Sequence, residues 1–436
     1  MATWDQLRAL LVESGAHPDD VDRFDVAASR RRFLTKAGKG GAALALFGFG
    51  AGAGPALTGL FGRGLIPVAW AQEAQEQEIP GKPGMVVHNT RPINGEFPPH
   101  LLDADVTPTP RHFVRNNALV PERAANRDPQ GWSFTVDGEV NRPLTLTLDD
   151  LRRMPAVTMP LLIECGGNGR GFFDPKVRGN PWRRGAIGCA EWTGVRLRDV
   201  LNQAGLRESA RYTAHYGEDP PIGGAQPFSR GIPIAKAMEE HTLIAYRMNG
   251  RDLDPLNGYP ARIVVPGWIG SCSQKWLTRI WIRDQVHDSD KMTGYSYRVP
   301  AYPVVPGSRP PEEHMVIATE WTVKSMITDP AENTRLQPGQ HVAARGHAWA
   351  GEDRVTKVLV STDFGVNWSE ARLRQLSNPY AWYRFEADLQ FPDMGYYEIW
   401  ARAFDDKGNA QPFAQPWNPR GYMGNVVHRV PVRVGV

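Results

Sequence analysis

The sequence predicts an α+β domain followed by a β-sandwich of immunoglobulin type, and three observations carry that reading. Between Met85 and about Arg298, short strand-like runs such as Phe134-Thr135-Val136 and Arg262-Ile263-Val264-Val265 alternate with helical ones at Asp149 to Met154, Leu197 to Ala204 and Ile234 to Glu240. Pro300-Ala301-Tyr302-Pro303-Val304-Val305-Pro306 then bars helix and reads as an extended connector. Beyond it the runs are strands: Arg354 to Ser361 ends at the turn Asp363-Phe364-Gly365, and Tyr397 to Ala403 ends at Asp405-Asp406-Lys407-Gly408.

With 436 residues the chain is long enough for two or three domains. Its 41% hydrophobic and 22% charged residues are those of an ordinary globular protein. Three cysteines, Cys165, Cys189 and Cys272, occur without C-x-x-C, C-x-x-C-H or H-E-x-x-H, which argues against structural zinc and covalently held c-type haem.

The N-terminus bears on the compartment. Ser29-Arg30-Arg31-Arg32-Phe33-Leu34 precedes a Gly/Ala/Leu/Phe-rich stretch from about Gly40 to Leu60, and Ala69-Trp70-Ala71 has a small-x-small cleavage pattern. Residues 1–71 therefore read as a twin-arginine export signal, which carries folded and often cofactor-loaded proteins to the periplasm. Pro55 and the glycines argue against a membrane anchor, so no membrane span is expected in the mature form. Cleavage after Ala71 would leave 42 Lys/Arg against 41 Asp/Glu, which removes any charge argument for nucleic acid. The expected domains are a flexible leader at 72–84, a catalytic domain at 85–300, a linker at 301–312 and the sandwich at 313–436.

Chemistry concentrates in Leu161 to Arg170, where Cys165 ends an apolar run inside the glycine-rich turn Cys165-Gly166-Gly167-Asn168-Gly169-Arg170. A soft thiolate suits a transition metal, and glycines let bulky ligand atoms approach the backbone. Taken alone, such a cysteine is more often a small buried hydrophobe. Arg170, Arg178, Arg183 and Arg184 follow within about twenty residues, with Trp182 among them, and guanidinium forks suit small oxyanions. A solvated surface accounts for arginines equally well. Cys189 and Cys272 read as core thiols, and His341 and His347 lack metal-ligand spacing.

Several separated motifs in order resemble the sulfite oxidase family of molybdenum enzymes. They are Val87 to Asn94, Thr107-Pro108-Thr109-Pro110, His112 to Asn117, the Cys165 turn, Trp182 to Ile187, Gly258 to Gly267 and Lys275-Trp276-Leu277. The likeness covers nearly all of residues 85–436 and implies a molybdopterin domain followed by a dimerisation sandwich. It also implies roles. Cys165 would be the metal ligand, beside a pterin dithiolene. Arg115, Arg170 and Arg178 would bind the oxyanion, with Trp182 as a pocket wall. Tyr295 is the expected active-site tyrosine and Tyr297 its rival, because one gap is needed. Phe113, Asn116, Asn117, Asp219, Asn257, Arg262, Ser273, Gln274 and Lys275 would contact the pterin. Asn117 and Asn257 stand where animal members carry histidine, and an amide cannot titrate as an imidazole does.

The implied activity is oxidation of sulfite to sulfate by oxygen-atom transfer. With no cytochrome b5 signature and no haem motif, molybdenum would be the chain's only redox centre, and electrons would pass to a separate c-type cytochrome. The alternatives are a molybdenum subunit oxidising carrier-bound sulfane sulfur, a periplasmic sulfoxide reductase, or a binding module without metal.

Overall fold

A computed structural model describes residues 78–435 of the chain. The expected export signal and residues 72–77 lie outside the described residues. Residues 78–84, expected as flexible leader, are instead tied down. Ile79 and Lys82 are buried, and Lys82 Nζ donates to the carbonyl oxygens of Thr109 at 2.7 Å and His112 at 3.0 Å. A cation withdrawn from water needs such acceptors, so it pins the segment. Burial pulls its pKa down to about 8.

Two five-stranded sheets build the first domain. One orders Arg251–Asp252, Leu243–Met248, Ile187–Arg196 and Ala156–Glu164, with Arg262–Val264 paired to Leu243–Met248. The other orders Leu144–Thr147, Ser133–Gly138, Leu277–Arg283, Tyr212–Gly217 and Ser229–Arg230. A smaller sheet joins Val86–Thr90, Ile93–Glu96 and Val114–Arg115. Helices are few and short. Leu148–Arg153 starts at a capping box in which the Thr147 and Asp150 side chains satisfy each other's backbone N–H groups. Leu197–Ala204 buries Leu197, Val200, Leu201 and Ala204, the stripe a 3.6-residue period aims at a core. The helix expected to reach Glu240 stops at Ala237, because Thr242 Oγ1 donates to the Lys236 carbonyl at 2.9 Å and the chain turns into Leu243–Met248.

The second domain is a sandwich. Its four-stranded sheet orders Lys324–Asp329, His341–Trp349, Tyr383–Gln390 and Arg372–Gln375; its five-stranded sheet orders Thr334–Leu336, His428–Val434, Gly395–Asp405, Val355–Ser361 and Ser369–Glu370. Alternating inward residues such as Val358, Phe385, Ile399 and Val432 fill the space between them. Arg298–Pro300 and Met315–Ile317 pair antiparallel, so residues 301–312, expected as a linker, lie in the loop that joins these two strands. Between Gly395–Asp405 and His428–Val434 the chain runs without helix or strand and reaches the Cys165 turn, where Met423 N donates to Gly166 O at 2.9 Å. No helix among the described residues is long and apolar enough to cross a membrane.

Candidate active site

Strand Ala156–Glu164 delivers Cys165 to a turn that other elements hold in place. Cys165 N donates to Ala186 O at 2.9 Å, Asn168 N donates to Cys165 O at 2.8 Å, and Gly167 N lies 3.4 Å from Cys165 Sγ. Two glycines shape the turn, Gly167 by leaving room for the Arg170 side chain and Gly169 by its backbone conformation. A Cβ on Gly167 would stand 2.6 Å from the Arg170 guanidinium, and Gly169, at φ +86°, packs its Cα side against Gly424, where a Cβ would meet backbone at 3.2 Å. Glu164, immediately before the cysteine, is buried and accepts from Asn168 Nδ2 at 2.9 Å, Trp349 Nε1 at 2.8 Å and Lys324 Nζ at 2.5 Å. The cysteine is a free thiol, 6% exposed, and borders two cavities at once. It is therefore not sealed in apolar packing.

The inner cavity gathers most of the expected pterin contacts. Phe113, Asn117, Cys165, Asp219, Asn257, Arg262, Ser273, Gln274 and Lys275 line it, together with His112, Ser271, Trp276 and Tyr297. Arg262 is buried and donates to the carbonyls of Asn257 at 3.0 Å and Ser273 at 2.8 Å. Burial pulls its pKa down to about 9. Lys275 donates to Asn116 Oδ1 and to Leu256 O, and burial, then the neighbouring Arg262, holds its pKa well below the ordinary lysine value. Burial raises Asp219 to about 6 and lowers His112 to about 3. Two desolvated cations with so little carboxylate charge nearby are arranged for an anion such as a phosphate.

Buried polar atoms of the lining test the fit of a polar cofactor. His112 Nε2, Asn257 Oδ1, Ser271 Oγ and Gln274 Oε1 around the inner cavity have no partner within the protein, nor do Asn116 Nδ2 and Trp182 Nε1 around the outer one. Unpaired buried groups are costly, and their concentration here matches a bound molecule dense in donors and acceptors. A pterin bearing a phosphate fits this set.

The outer cavity holds Arg115, Asn116, Asn117, Cys165, Arg170, Arg178 and Trp182, joined by Lys291, Tyr297, Arg420 and Tyr422. Five cations and no carboxylate line it, a charge balance suited to a small anion. Arg115 Nη2 donates to Asn117 Oδ1 at 2.6 Å, and the Tyr297 hydroxyl reaches the same oxygen at 3.4 Å. Arg170 Nε donates to Arg420 O at 3.1 Å. Trp182 is fully buried and edge-packed on His88 at 4.8 Å. Arg178 is exposed on the rim.

Tyr295 is the expected residue that the structure moves out of the site. Its hydroxyl donates to Pro310 O at 2.6 Å and its ring carries the Arg309 guanidinium at 4.2 Å, so it faces the 301–312 loop while Tyr297 lines both cavities. Arg420 and Tyr422 went unexpected, because they sit in the irregular stretch before the last strand, where no period marks them. His112 also lines the inner cavity, and nothing in its sequence motif marks it for that place. Cys189 and Cys272 are buried as expected, and burial pushes the Cys189 thiol up to about 12.

Comparison with known proteins places both domains in known families. Residues 120–291 match the family model described as the oxidoreductase molybdopterin binding domain, and residues 315–435 match the Mo-co oxidoreductase dimerisation domain. The chain is 36% identical to mitochondrial sulfite oxidase of Rattus norvegicus over 373 residues, covering 81% of this chain and 66% of that one, so it spans just under two thirds of that relative. It is 34% identical to sulfite oxidase of Gallus gallus, covering 82% of this chain and 80% of the other. The crystal structure of the sulfane dehydrogenase SoxCD from Paracoccus pantotrophus superposes with a TM-score of 0.66 at 27% identity, covering 88% of this chain and 94% of that one.

Proposed function

Since the chain belongs to the sulfite oxidase family of molybdenum enzymes, we propose that it is a periplasmic sulfite dehydrogenase that converts sulfite to sulfate and passes two electrons to an external c-type cytochrome. The observation that carries the reading is the outer cavity, whose five cations meet the Cys165 thiol without an intervening carboxylate. When bound, the molybdenum cofactor supplies two-electron oxygen-atom transfer, with water as the oxygen source.

The protein's own part is holding and field. Cys165 Sγ would ligate the metal, with the Gly167 N–H directed at it to fix its orientation. Arg262 and Lys275 would take the cofactor's phosphate, and the unpaired Asn257, Ser271 and Gln274 atoms its polar edge. Arg115, Arg170, Arg178 and Arg420 would hold the oxyanion, where a water-poor wall of Trp182 keeps the attraction strong. Tyr297 would offer its hydroxyl hydrogen to oxygen at the junction of the two cavities, in place of its long bond to Asn117.

Export rests on the Arg30-Arg31 pattern, and the cytochrome acceptor on that compartment. Dimerisation through the sandwich is supported by its family match. Adding sulfite and oxidised cytochrome c to purified, molybdenum-loaded protein should reduce the cytochrome. Turnover with another substrate and none with sulfite would overturn the reading. A second reading, oxidation of carrier-bound sulfane sulfur, is favoured by the likeness to the SoxCD sulfane dehydrogenase across both domains. Free sulfite assayed against a protein-bound persulfide separates the two.

A further inference from the structure

Tyr297 takes part in a run of four stacked groups. The Arg230 guanidinium carbon lies 5.0 Å from its ring centroid. Tyr422 stacks on it at 4.8 Å with 24° between the planes, and the Arg170 guanidinium lies 5.3 Å from the Tyr422 centroid. The order is therefore cation, ring, ring, cation, beginning in the interior of the first domain and ending on an arginine of the outer cavity. The Tyr422 layer comes from the irregular stretch of the second domain.

Arg230 is the unusual member. It is fully buried, and among the described residues it has no carboxylate partner. Its Nη1 donates to Lys291 O at 2.8 Å and its Nη2 to Ala318 O at 3.3 Å and to Cys272 Sγ at 3.7 Å, while Nε has no acceptor. Ala318 N in turn donates to Tyr297 O at 2.9 Å, so Arg230 grips the backbone that carries the tyrosine as well as its ring. A buried charge without a counter-ion is expensive, and an apolar side chain of similar volume would fill the space. Besides those carbonyls and the Cys272 sulfur, the group its charge meets is the Tyr297 ring.

We propose that Arg230 is a positioning residue which, through Tyr297 and Tyr422, fixes the Arg170 guanidinium in the pose that binds a doubly charged tetrahedral oxyanion. The inference rests on the reading of the outer cavity as an oxyanion site and deepens it. Cation–π contacts at both ends, the Arg230 one fully buried and the Arg170 one partly exposed, hold the two rings in register, and a guanidinium fixed in advance loses less freedom when the anion arrives.

The test is calorimetric titration of sulfate into molybdenum-loaded protein, with sulfite kinetics alongside. Arg230→Gln keeps donors for the Lys291 and Ala318 carbonyls and removes the charge; it should weaken sulfate binding about tenfold, with the sulfite KM rising in parallel and kcat changing less than about threefold. Arg230→Lys should recover most of the loss, to within about threefold of the natural protein. Tyr422→Leu should weaken binding on its own, and in that background Arg230→Gln should add little, because both act through one column.

Unchanged sulfate affinity in an Arg230→Gln protein with full molybdenum content overturns the proposal, as do additive effects in the double variant. Should Arg230→Gln not fold, Arg230→Lys crossed with Tyr422→Leu decides. Any loss from Arg230→Lys must vanish once Tyr422 is gone, and Tyr422→Leu alone must weaken sulfate binding; persistence of the lysine loss in the double variant, or unchanged affinity in Tyr422→Leu, sinks the column. A natural protein that binds sulfate but leaves sulfite unoxidised would end the sulfite reading and leave the column intact.

Discussion

Arg420 offers the sharpest test at the scale of single residues, since it reaches the outer cavity from the far domain and its backbone carbonyl already accepts from Arg170. Arg420→Met should raise the sulfite KM about tenfold to a hundredfold, because charge-assisted contacts to a bound anion are worth about 1.5–3 kcal/mol each. Steady-state kinetics at fixed ionic strength would read this, and an unchanged KM would remove Arg420 from the site. The expected lining was readable through the resemblance that the ordered motifs carry, because cysteine and arginine taken alone fit a buried core or a solvated surface as well. The choice between Tyr295 and Tyr297 was not. Residues two apart share a face of an extended strand, but Lys291 to Tyr297 is a succession of turns, and Tyr297 itself sits at φ 51°. That geometry sends one ring to Pro310 and the other to the cavities.

Among elements, the Cys165 turn depends on the sandwich. Lys324, on strand Lys324–Asp329, meets Glu164 at 2.5 Å and donates to Gly424 O at 2.8 Å, so one ammonium ties the residue before the cysteine to the irregular stretch carrying Arg420 and Tyr422. Its burial lowers the lysine pKa while Glu164 pulls it back up. Lys324→Met leaves the Glu164 carboxylate buried and unpaired, at a cost of about 3–5 kcal/mol. Denaturant unfolding should register that loss, and Glu164→Gln in the same chain should recover part of it. Equal stability of Lys324→Met and the natural protein would contradict the role given to the pair. The strands and the helix Leu197–Ala204 were legible as periods of two and 3.6 residues. The stretch from Gln411 to Val427 was not, because its prolines and glycines carry no period and its place is set by contacts from Gly166, Gly169 and Lys324.

For the molecule as a whole, buried neutral histidines set the response to acid. His215 and His347 are buried and held at about 3, in each case chiefly by burial. Their folded pKa values lie below the unfolded value near 6.5, so the stability they contribute is complete above about pH 6.5 and is lost as pH falls toward 3. At pH 5 the loss reaches at most about 2 kcal/mol per histidine. The Tm should therefore fall steeply between pH 6.5 and 4.5. His347→Gln, which keeps a donor for the Leu102 carbonyl, should flatten that fall; a Tm profile identical to the natural one would contradict the assignment. The two-domain order was legible from the change in pattern at Pro300, whereas the way the second domain completes the site of the first could be read only from the assembled fold.

In the proposed function Cys165 Sγ bonds a molybdenum centre where the two cavities meet. X-ray absorption at the molybdenum edge of the purified protein tests it most directly. The natural protein should give three sulfur scatterers, two from the pterin dithiolene and one from Cys165, and Cys165→Ser should give two with the metal retained. Absence of molybdenum from protein produced with the cofactor available, or a sulfur count that Cys165→Ser leaves unchanged, would contradict the account.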